Sequence, residues 1–183
     1  MNQNLTGILM CGGKSSRMGK DKYALLYNAL PLYKPSLTTL EKYCTQILVS
    51  SNINFPEFEN YTIIEDLVKD IGPMGGIYSC LKMSKSNYNI VLACDMPLVT
   101  GDLMSKLIAN LKDDYDAVVP EFLGRPEPLY AIYKRSILLS IEECIKKEKY
   151  ALNYLLSTLN VCYVKVEEDC TEFQNINTPQ ELR

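Results

Sequence analysis

The chain has 183 residues, with 19 Lys and Arg against 22 Asp and Glu, so its formal net charge is −3. This length suits one domain with a sizeable core, and the mildly acidic balance provides no global attraction to nucleic acid. The absence of histidine excludes histidine-based acid–base catalysis, Ser-His-Asp triads and histidine metal sites. Seven cysteines without a C-x-x-C pair favour a reducing compartment over a disulfide framework or structural zinc. The first apolar run, at residues 5–11, is too short for a secretory signal or a membrane span, so we expect a cytoplasmic protein with no membrane partner.

Strand-like runs alternate with helical patterns along the chain. Strands are predicted at residues 5–11, 46–50, 61–65, 89–93, 117–119, 129–133 and 161–166. Helices are predicted at residues 75–83, 136–147 and 151–158, and others begin at residues 34, 100 and 178. We expect Thr100 to cap the third helix and Pro120 to stop the fifth strand. The alternation predicts a single-domain α/β fold: a mostly parallel, doubly wound, Rossmann-like sheet with helices on both faces.

A glycine-rich, basic loop follows the first predicted strand. Residues 9–22 read LMCGGKSSRMGKDK and contain four basic residues. Glycines let backbone N–H groups close on an anion, arginine offers a planar fork to phosphate oxygens, and lysine adds a point charge. The glycine spacing fits neither a Walker A loop nor the dinucleotide fingerprint. The loop therefore predicts a polyphosphate site of another type, the alternative being a plain turn with a solvated basic face.

Three features come directly after predicted strands: the Gly12-Gly13 pair of the basic loop, Asp66, and Asp95. Ligands of parallel sheets bind outside the carboxyl ends of the strands, so we expect these residues to converge. Phosphoryl chemistry without histidine needs a divalent cation, which carboxylates hold. Asp95, on the turn before Met96-Pro97, is the predicted Mg²⁺ ligand. The alternative role is an aspartate that only caps its turn.

Four blocks of the sequence together resemble the molybdopterin nucleotidyltransferase family, and in particular its guanylyltransferase members. After the basic loop these blocks are GPMGGI at residues 72–77, CDMPL at 94–98 and NINTPQEL at 175–182. They occur in the family's order and span almost the whole chain. The resemblance implies a nucleotidyltransferase-type fold and transfer of GMP from GTP to the phosphate of molybdopterin or the molybdenum cofactor, with release of pyrophosphate.

The resemblance also implies roles for individual residues. The implied catalytic residues are Arg17, Lys22 and Asp95, with Asp95 also the metal ligand. The implied nucleotide-binding residues are Met10, Cys11, Gly12, Gly13, Lys22, Ser50, Asp66, Gly75 and Asp95. The implied acceptor-side residues are Arg125, Pro128, Asn175 and Asn177. Ser50 stands where the family usually has asparagine, Asn52 falls in the same nucleoside-contact segment, and Glu127 replaces a neutral or basic residue.

Several alternatives remain open at this point. A cytidylyltransferase or a related sugar-phosphate nucleotidyltransferase would share the core, but Gly12-Gly13, where cytidylyltransferases carry Ala-Gly, and Asp21-Lys22 favour GTP. A non-catalytic nucleotide-binding regulatory module would need no metal-holding carboxylate such as Asp95. We expect residues 1–100 to form the nucleotide half and residues 101–183 the acceptor half. Expected partners are GTP, molybdopterin and, transiently, cofactor-delivery or acceptor proteins, with no nucleic acid.

Overall fold

The structure is a computed structural model that describes residues 4–12, 26–53 and 56–173. These residues form ten strands and five helices. The strands are β1 (Leu5–Met10), β2 (Leu26–Tyr27), β3 (Leu30–Pro31), β4 (Gln46–Ser50), β5 (Thr62–Ile64), β6 (Tyr88–Ala93), β7 (Ala117–Phe122), β8 (Arg125–Pro126), β9 (Tyr130–Lys134) and β10 (Val161–Lys165). The helices are α1 (Lys34–Tyr43), α2 (Pro73–Met83), α3 (Asp102–Ala109), α4 (Leu138–Lys146) and α5 (Leu152–Leu156), and single 3₁₀ turns lie at Pro56–Phe58 and Arg135–Ile137. None of these helices is long and apolar enough to cross a membrane.

The large sheet has the strand order β10-β7-β9-β6-β1-β4-β5, and β8 pairs with the end of β7. Strand β1 is parallel to β4 and β6, β4 is parallel to β5, and β7 is parallel to β10. Only β9 and the short β8 run antiparallel to their neighbours in this sheet, within the described residues. The predicted mostly parallel sheet is confirmed. A separate antiparallel hairpin of β2 and β3 was not predicted.

Helices cover both faces of the sheet, as predicted. On one face α1 and α3 pack in a cluster that includes Leu9 of β1. On the other face α2, α4 and α5 pack in a cluster that includes Ile8, the preceding residue of the same strand. Every residue of β1 and β6 is buried, which is the pattern of central parallel strands covered on both sides. The two central strands are therefore held rigidly, and their ends are well-defined positions.

The prediction that Pro120 stops the fifth strand was wrong, because β7 continues to Phe122. A proline disrupts a strand by lacking an N–H for the ladder. Pairing with β9 covers only Ala117 and Val118, and pairing with β8 begins at Glu121, so Pro120 lies between the two antiparallel ladders. Its carbonyl accepts a bond from Glu127 N–H at 3.0 Å. The missing N–H therefore costs little at this position.

The predicted cap of α3 is also corrected. Gly101 is the N-cap residue, in the left-handed region with φ 85°, and Thr100 lies one residue earlier. Thr100 Oγ1 still accepts a bond from Asp102 N–H at 3.3 Å. The other helix and strand predictions hold to within a few residues at their ends, and the helix predicted from residue 178 lies outside the described residues.

Candidate active site

The carboxyl ends of four parallel strands form one edge of the sheet. At each of these ends, a residue of interest lies two positions beyond the strand: Gly12 after β1, Asn52 after β4, Asp66 after β5 and Asp95 after β6. The four strands are adjacent in the order β6-β1-β4-β5. The structure therefore brings the predicted residues Gly12, Asp66 and Asp95 to one edge, which is where α/β sheets bind ligands.

The ends of β1 and β6 are joined by both backbone and side-chain contacts. Cys11 N–H donates to Ser50 O at 3.0 Å, and Cys94 N–H donates to Met10 O at 3.1 Å. A hydrogen bond between the Cys11 and Cys94 thiols, together with burial, raises the pKa of Cys11, so this group stays a neutral thiol. These contacts continue the ladder one residue past the strands and give Gly12 and Asp95 a rigid base.

Asp95 lies on a turn at the end of β6 and is half-exposed. Its charge contributes to the raised pKa of Cys11, which means that the carboxylate lies near the end of β1. The next residue, Met96, is buried in the core and anchors the turn. Within the described residues no group of three or more Cys, Asp or Glu side chains could hold a metal ion together. A metal at Asp95 would therefore take its other ligands from substrate oxygens and water, as Mg²⁺ commonly does.

Asp66 and Asn52 form a reciprocal pair across the ends of β5 and β4. Asn52 Nδ2 donates to Asp66 Oδ2 at 2.9 Å, and Asp66 N–H donates to Asn52 Oδ1 at 2.9 Å. Asn52 is exposed and Asp66 half-buried. The pair thus presents a carboxylate of defined orientation at the surface of the sheet edge.

Two glycines let the first turn of α2 lie directly against these strand ends. A Cβ on Gly75 would come within 2.7 Å of Val68 O and 3.6 Å of Asp66 Cγ. A Cβ on Gly76 would come within 2.1 Å of Ser50 Oγ and 2.8 Å of Met10 Cε. Since real Cβ atoms do not approach a backbone oxygen this closely, position 75 needs glycine, whereas a side chain at position 76 would first have to displace the Ser50 and Met10 side chains. The predicted residues Gly75, Asp66, Ser50 and Met10 are thereby neighbours, although Ser50 and Met10 are buried.

The segment predicted to shape the acceptor side lies beside the end of β6. Leu129 O accepts a bond from Ala93 N–H at 2.9 Å, which brings the residues before β9 next to the Asp95 turn. Pro128 O accepts a bond from Tyr133 OH at 2.9 Å. Desolvation raises the pKa of Glu127, and the nearby Arg125 partly opposes this shift. Antiparallel pairing of β9 with β6 is what delivers this segment to the carboxyl edge.

The remaining predicted site residues are not placed by the structure. These residues, Gly13, Arg17, Lys22, Asn175 and Asn177, lie outside the described ranges. Their proposed roles therefore depend on the sequence alone.

Comparison with known proteins agrees with this geometry. Residues 7–161 match the MobA-like NTP transferase domain family. The chain belongs to this family. A probable molybdenum cofactor guanylyltransferase of Flavobacterium johnsoniae is 31% identical over 181 residues, which cover 98% of this chain and 95% of the relative. Another, from Peptoclostridium acidaminophilum, is 32% identical over 193 residues, covering 97% and 86%.

A solved structure supports the same assignment. Molybdopterin-guanine dinucleotide biosynthesis protein A from Archaeoglobus fulgidus has a TM-score of 0.81 and 26% identity, covering 97% of this chain and 94% of that one. The family resemblance seen in the four sequence blocks is confirmed. As a MobA-like NTP transferase, the chain is a nucleotidyltransferase.

One residue that supports this MobA-like site was missed in the sequence. Glu172 is buried, and its Oε1 accepts bonds from Thr100 Oγ1 at 2.7 Å and from Leu103 N–H at 3.4 Å. Its Oε2 accepts a bond from Tyr130 OH at 2.8 Å. Glu172 therefore caps α3 and ties the chain after the Asp95 turn to the start of β9. No local pattern marks this role, because the partners lie 42 to 72 residues away.

Ser79 of α2 was missed as well. Its hydroxyl accepts a bond from Leu67 N–H at 2.8 Å and donates to Gly75 O at 2.7 Å. The residue is buried, so this relay holds the chain after Asp66 against the first turn of α2. The one feature of the sequence that could have indicated this role is the presence of a serine on the apolar face of a predicted helix.

Proposed function

We propose that the chain transfers GMP from GTP to the phosphate of molybdopterin, or of its molybdenum-bearing form, and releases pyrophosphate. The observation that carries the proposal is the placement of Asp66 and Asp95 at one sheet edge of a MobA-like fold. The names of relatives aligned over nearly the whole chain support the same reaction. The direct test is to incubate the purified protein with GTP, Mg²⁺ and molybdopterin and to measure pyrophosphate and the guanine dinucleotide. A protein that hydrolyses or transfers nothing under these conditions would contradict the proposal.

The proposed reaction is an in-line substitution at the α-phosphorus of GTP. An oxygen of the acceptor phosphate forms the new bond, and the bond from the α-phosphorus to the β-phosphate oxygen breaks, so that pyrophosphate leaves. Nucleophile and leaving group are both already ionised, and the reaction needs no protein general base. This agrees with a chain that has no histidine. The contribution of the protein is to position the two substrates and to neutralise charge.

Asp95 is the residue that we propose holds Mg²⁺. Its half-exposed carboxylate offers the hard oxygen donors that Mg²⁺ prefers, and substrate phosphates would supply further oxygens. Bound Mg²⁺ neutralises the charge that develops on the phosphate oxygens. The rigid turn at the end of β6 keeps the carboxylate in place beside the end of β1.

The phosphate cradle is proposed to begin at Gly12. This residue is exposed, and among the described residues the atom nearest to a Cβ there would be Ser50 O at 3.9 Å, which is an ordinary contact. Packing against the described part of the chain therefore does not explain the glycine, whereas close approach of a phosphate to the backbone would. We propose that Gly13, Arg17 and Lys22 complete the cradle.

The remaining expectations also stay proposals. We propose one nucleotidyltransferase domain, with the nucleotide bound mainly by residues 1–100 and the acceptor by residues 101–183. Arg125 and Pro128 would contact the acceptor from the segment beside β6, and Asn175 and Asn177 from the end of the chain. All seven cysteines are free thiols, which suits the cytoplasm. Transient contact with cofactor-delivery or acceptor proteins would complete the pathway.

The base preference is the first prediction. If Asp66 and the first turn of α2 read guanine, GTP should bind at least about tenfold more tightly than CTP, a difference of roughly 1.4 kcal/mol. Calorimetric titration of each nucleotide with Mg²⁺ into the protein measures this difference. Equal affinity, or a preference for CTP, would favour a cytidylyltransferase and leave the fold assignment unchanged.

The phosphate loop is the subject of the second prediction. Arg17→Ala and Lys22→Ala should each weaken GTP binding by about ten- to a hundredfold, since a charge-assisted bond to phosphate contributes roughly 1.5–3 kcal/mol. Arg17→Lys should recover only part of the loss, because lysine lacks the planar fork. Calorimetry measures the affinities, and thermal unfolding should change little.

The matched control for the loop is Lys85→Ala, which removes an exposed lysine two residues after α2. Its GTP affinity should equal that of the wild type. Wild-type affinity in both loop variants would show that these charges only face solvent.

A further inference from the structure

We infer that Asn52 is a positioning residue for base recognition, and that it holds the Asp66 carboxylate in the orientation that reads guanine. This inference rests on the proposed function and names the residue that sets base specificity at the same site. Asn52 would act through Asp66 rather than by touching the nucleotide.

The two hydrogen bonds between Asn52 and Asp66 leave only one arrangement of the amide. Asp66 N–H can only donate, so the atom of Asn52 that faces it at 2.9 Å must be the oxygen. The amide nitrogen then necessarily faces Asp66 Oδ2, also at 2.9 Å. A flipped amide would oppose two donors at one contact and two acceptors at the other. The backbone of Asp66 therefore orients the amide, and the amide orients the carboxylate.

The backbone on the Asn52 side is fixed by the sheet. Ser51 N–H donates to Ile64 O at 3.0 Å, which extends the pairing of β4 with β5 one residue beyond β4. Ser51 is buried, and its hydroxyl contacts both the N–H and the carbonyl of Ile53 in a tight turn. Asn52 is therefore the central residue of a turn in which the flanking residues, Ser51 and Ile53, are hydrogen-bonded to each other.

The backbone on the Asp66 side is fixed by α2. The bond from Leu67 N–H to Ser79 Oγ anchors the residue after Asp66, and Ser79 in turn bonds Gly75 O. Gly75 approaches Val68 O so closely that no side chain fits there. Since both backbones are held, only the side chains of Asn52 and Asp66 could still rotate. The hydrogen bonds of the Asn52 amide remove this rotation.

A carboxylate held in this way suits the guanine edge. The Asp66 carboxylate has about four lone-pair sites, and the Asn52 amide occupies one of them, on Oδ2. Among residues 4–12, 26–53 and 56–173 no donor bonds to Asp66 Oδ1. Guanine presents two adjacent donors, N1–H and the 2-amino group, which match a carboxylate fork. Hypoxanthine keeps only N1–H, and adenine places an acceptor at N1, which a carboxylate repels. Recognition of this kind depends on orientation, because a freely turning carboxylate would be solvated and lose the match.

The test compares GTP with ITP, the triphosphate whose base lacks only the 2-amino group. Calorimetric titration with Mg²⁺ is made on the wild type, Asn52→Ala, Asn52→Asp, Asp66→Asn and the double variant Asn52→Ala/Asp66→Asn. We expect the wild type to prefer GTP by about tenfold or more, as for one charge-assisted hydrogen bond. In each Asn52 variant this ratio should fall to within about threefold of unity, while kcat at saturating GTP changes little.

Asn52→Asp separates orientation from folding. It keeps the shape and the oxygen that accepts from Asp66 N–H, but replaces the amide donor with an oxygen that repels the Asp66 carboxylate. A loss of the GTP-to-ITP ratio with an unchanged Tm would support the inference. The double variant should bind GTP no more weakly than Asp66→Asn alone, because Asn52 would have no carboxylate left to orient. Asn153→Ala, which removes an exposed asparagine of α5, is the control and should keep the wild-type ratio.

Several outcomes would overturn the inference. If Asn52→Ala and Asn52→Asp keep the wild-type ratio, Asn52 does not position Asp66. If losses in the double variant add, Asn52 contacts the nucleotide directly. In both of these outcomes the wild type still selects GTP and transfers GMP, so the proposed function stands. A wild type that neither selects GTP nor transfers GMP would overturn both together.

Discussion

Asp95→Asn is expected to lower turnover about a thousandfold, as for loss of a central charge-stabilising group in phosphoryl transfer. Asparagine keeps the shape of the side chain but removes the charge that we propose holds Mg²⁺. The residue lies beyond the end of β6 and is half-exposed, so the fold should survive the change. Pyrophosphate release under saturating GTP and acceptor measures the effect, and thermal unfolding verifies the fold.

The control for this prediction is Asp114→Asn, which removes an exposed carboxylate from a turn far along the chain. Its turnover should match the wild type. Raising the Mg²⁺ concentration should restore part of the activity of Asp95→Asn if the defect is weaker metal binding. Near-normal activity of Asp95→Asn at ordinary Mg²⁺ would place the metal elsewhere.

Glu172→Ala is expected to be the most destabilising single change of a polar residue that we consider. Alanine leaves three donors, Thr100 OH, Leu103 N–H and Tyr130 OH, without their shared acceptor. A buried donor that loses its partner costs about 1–3 kcal/mol, and the two hydroxyls can turn toward other partners, so we expect a total near 3 kcal/mol. For a chain of this size that corresponds to a fall in Tm of about 6–12 °C.

Two variants make the Glu172 prediction specific. Glu172→Gln should lose less stability, because its oxygen can accept as Oε1 does and Tyr130 OH can accept from its amide. Glu168→Ala, in the same segment but exposed, should leave Tm unchanged. Calorimetric or spectroscopic unfolding of the three variants measures the order. A Tm of Glu172→Ala within 2 °C of the wild type would contradict the prediction.

Several features could be predicted from the sequence because their signals are local. The largely apolar runs at residues 5–11 and 89–93 predicted the strands β1 and β6, and the structure buries every residue of both. In a parallel sheet the carboxyl ends of the strands lie at one edge, so the meeting of Gly12, Asp66 and Asp95 followed from the strand pattern alone. The four family blocks additionally predicted the reaction, because they consist of specific site residues that a fold alone does not require.

Other features could not be predicted, because they arise between distant parts of the chain. Insertion of β9 antiparallel between β6 and β7 depends on sheet pairing that no local pattern reports. It brings the segment before β9, which we propose contacts the acceptor, to the carboxyl end of β6. The same insertion places Pro120 between two ladders, where a proline is tolerated.

The sequence by itself determined the alternation of strands and helices, the basic loop, and the carboxylates at the strand ends, since apolar periodicity and residue chemistry are properties of short segments. Only the tertiary structure decided how these groups are oriented. The Asn52–Asp66 pair joins two strand ends, and Glu172 caps α3 from a segment almost at the end of the described chain. Hydrogen bonds of this kind depend on distances of about 3 Å between residues far apart in sequence, and such distances exist only after the sheet and its helices have packed.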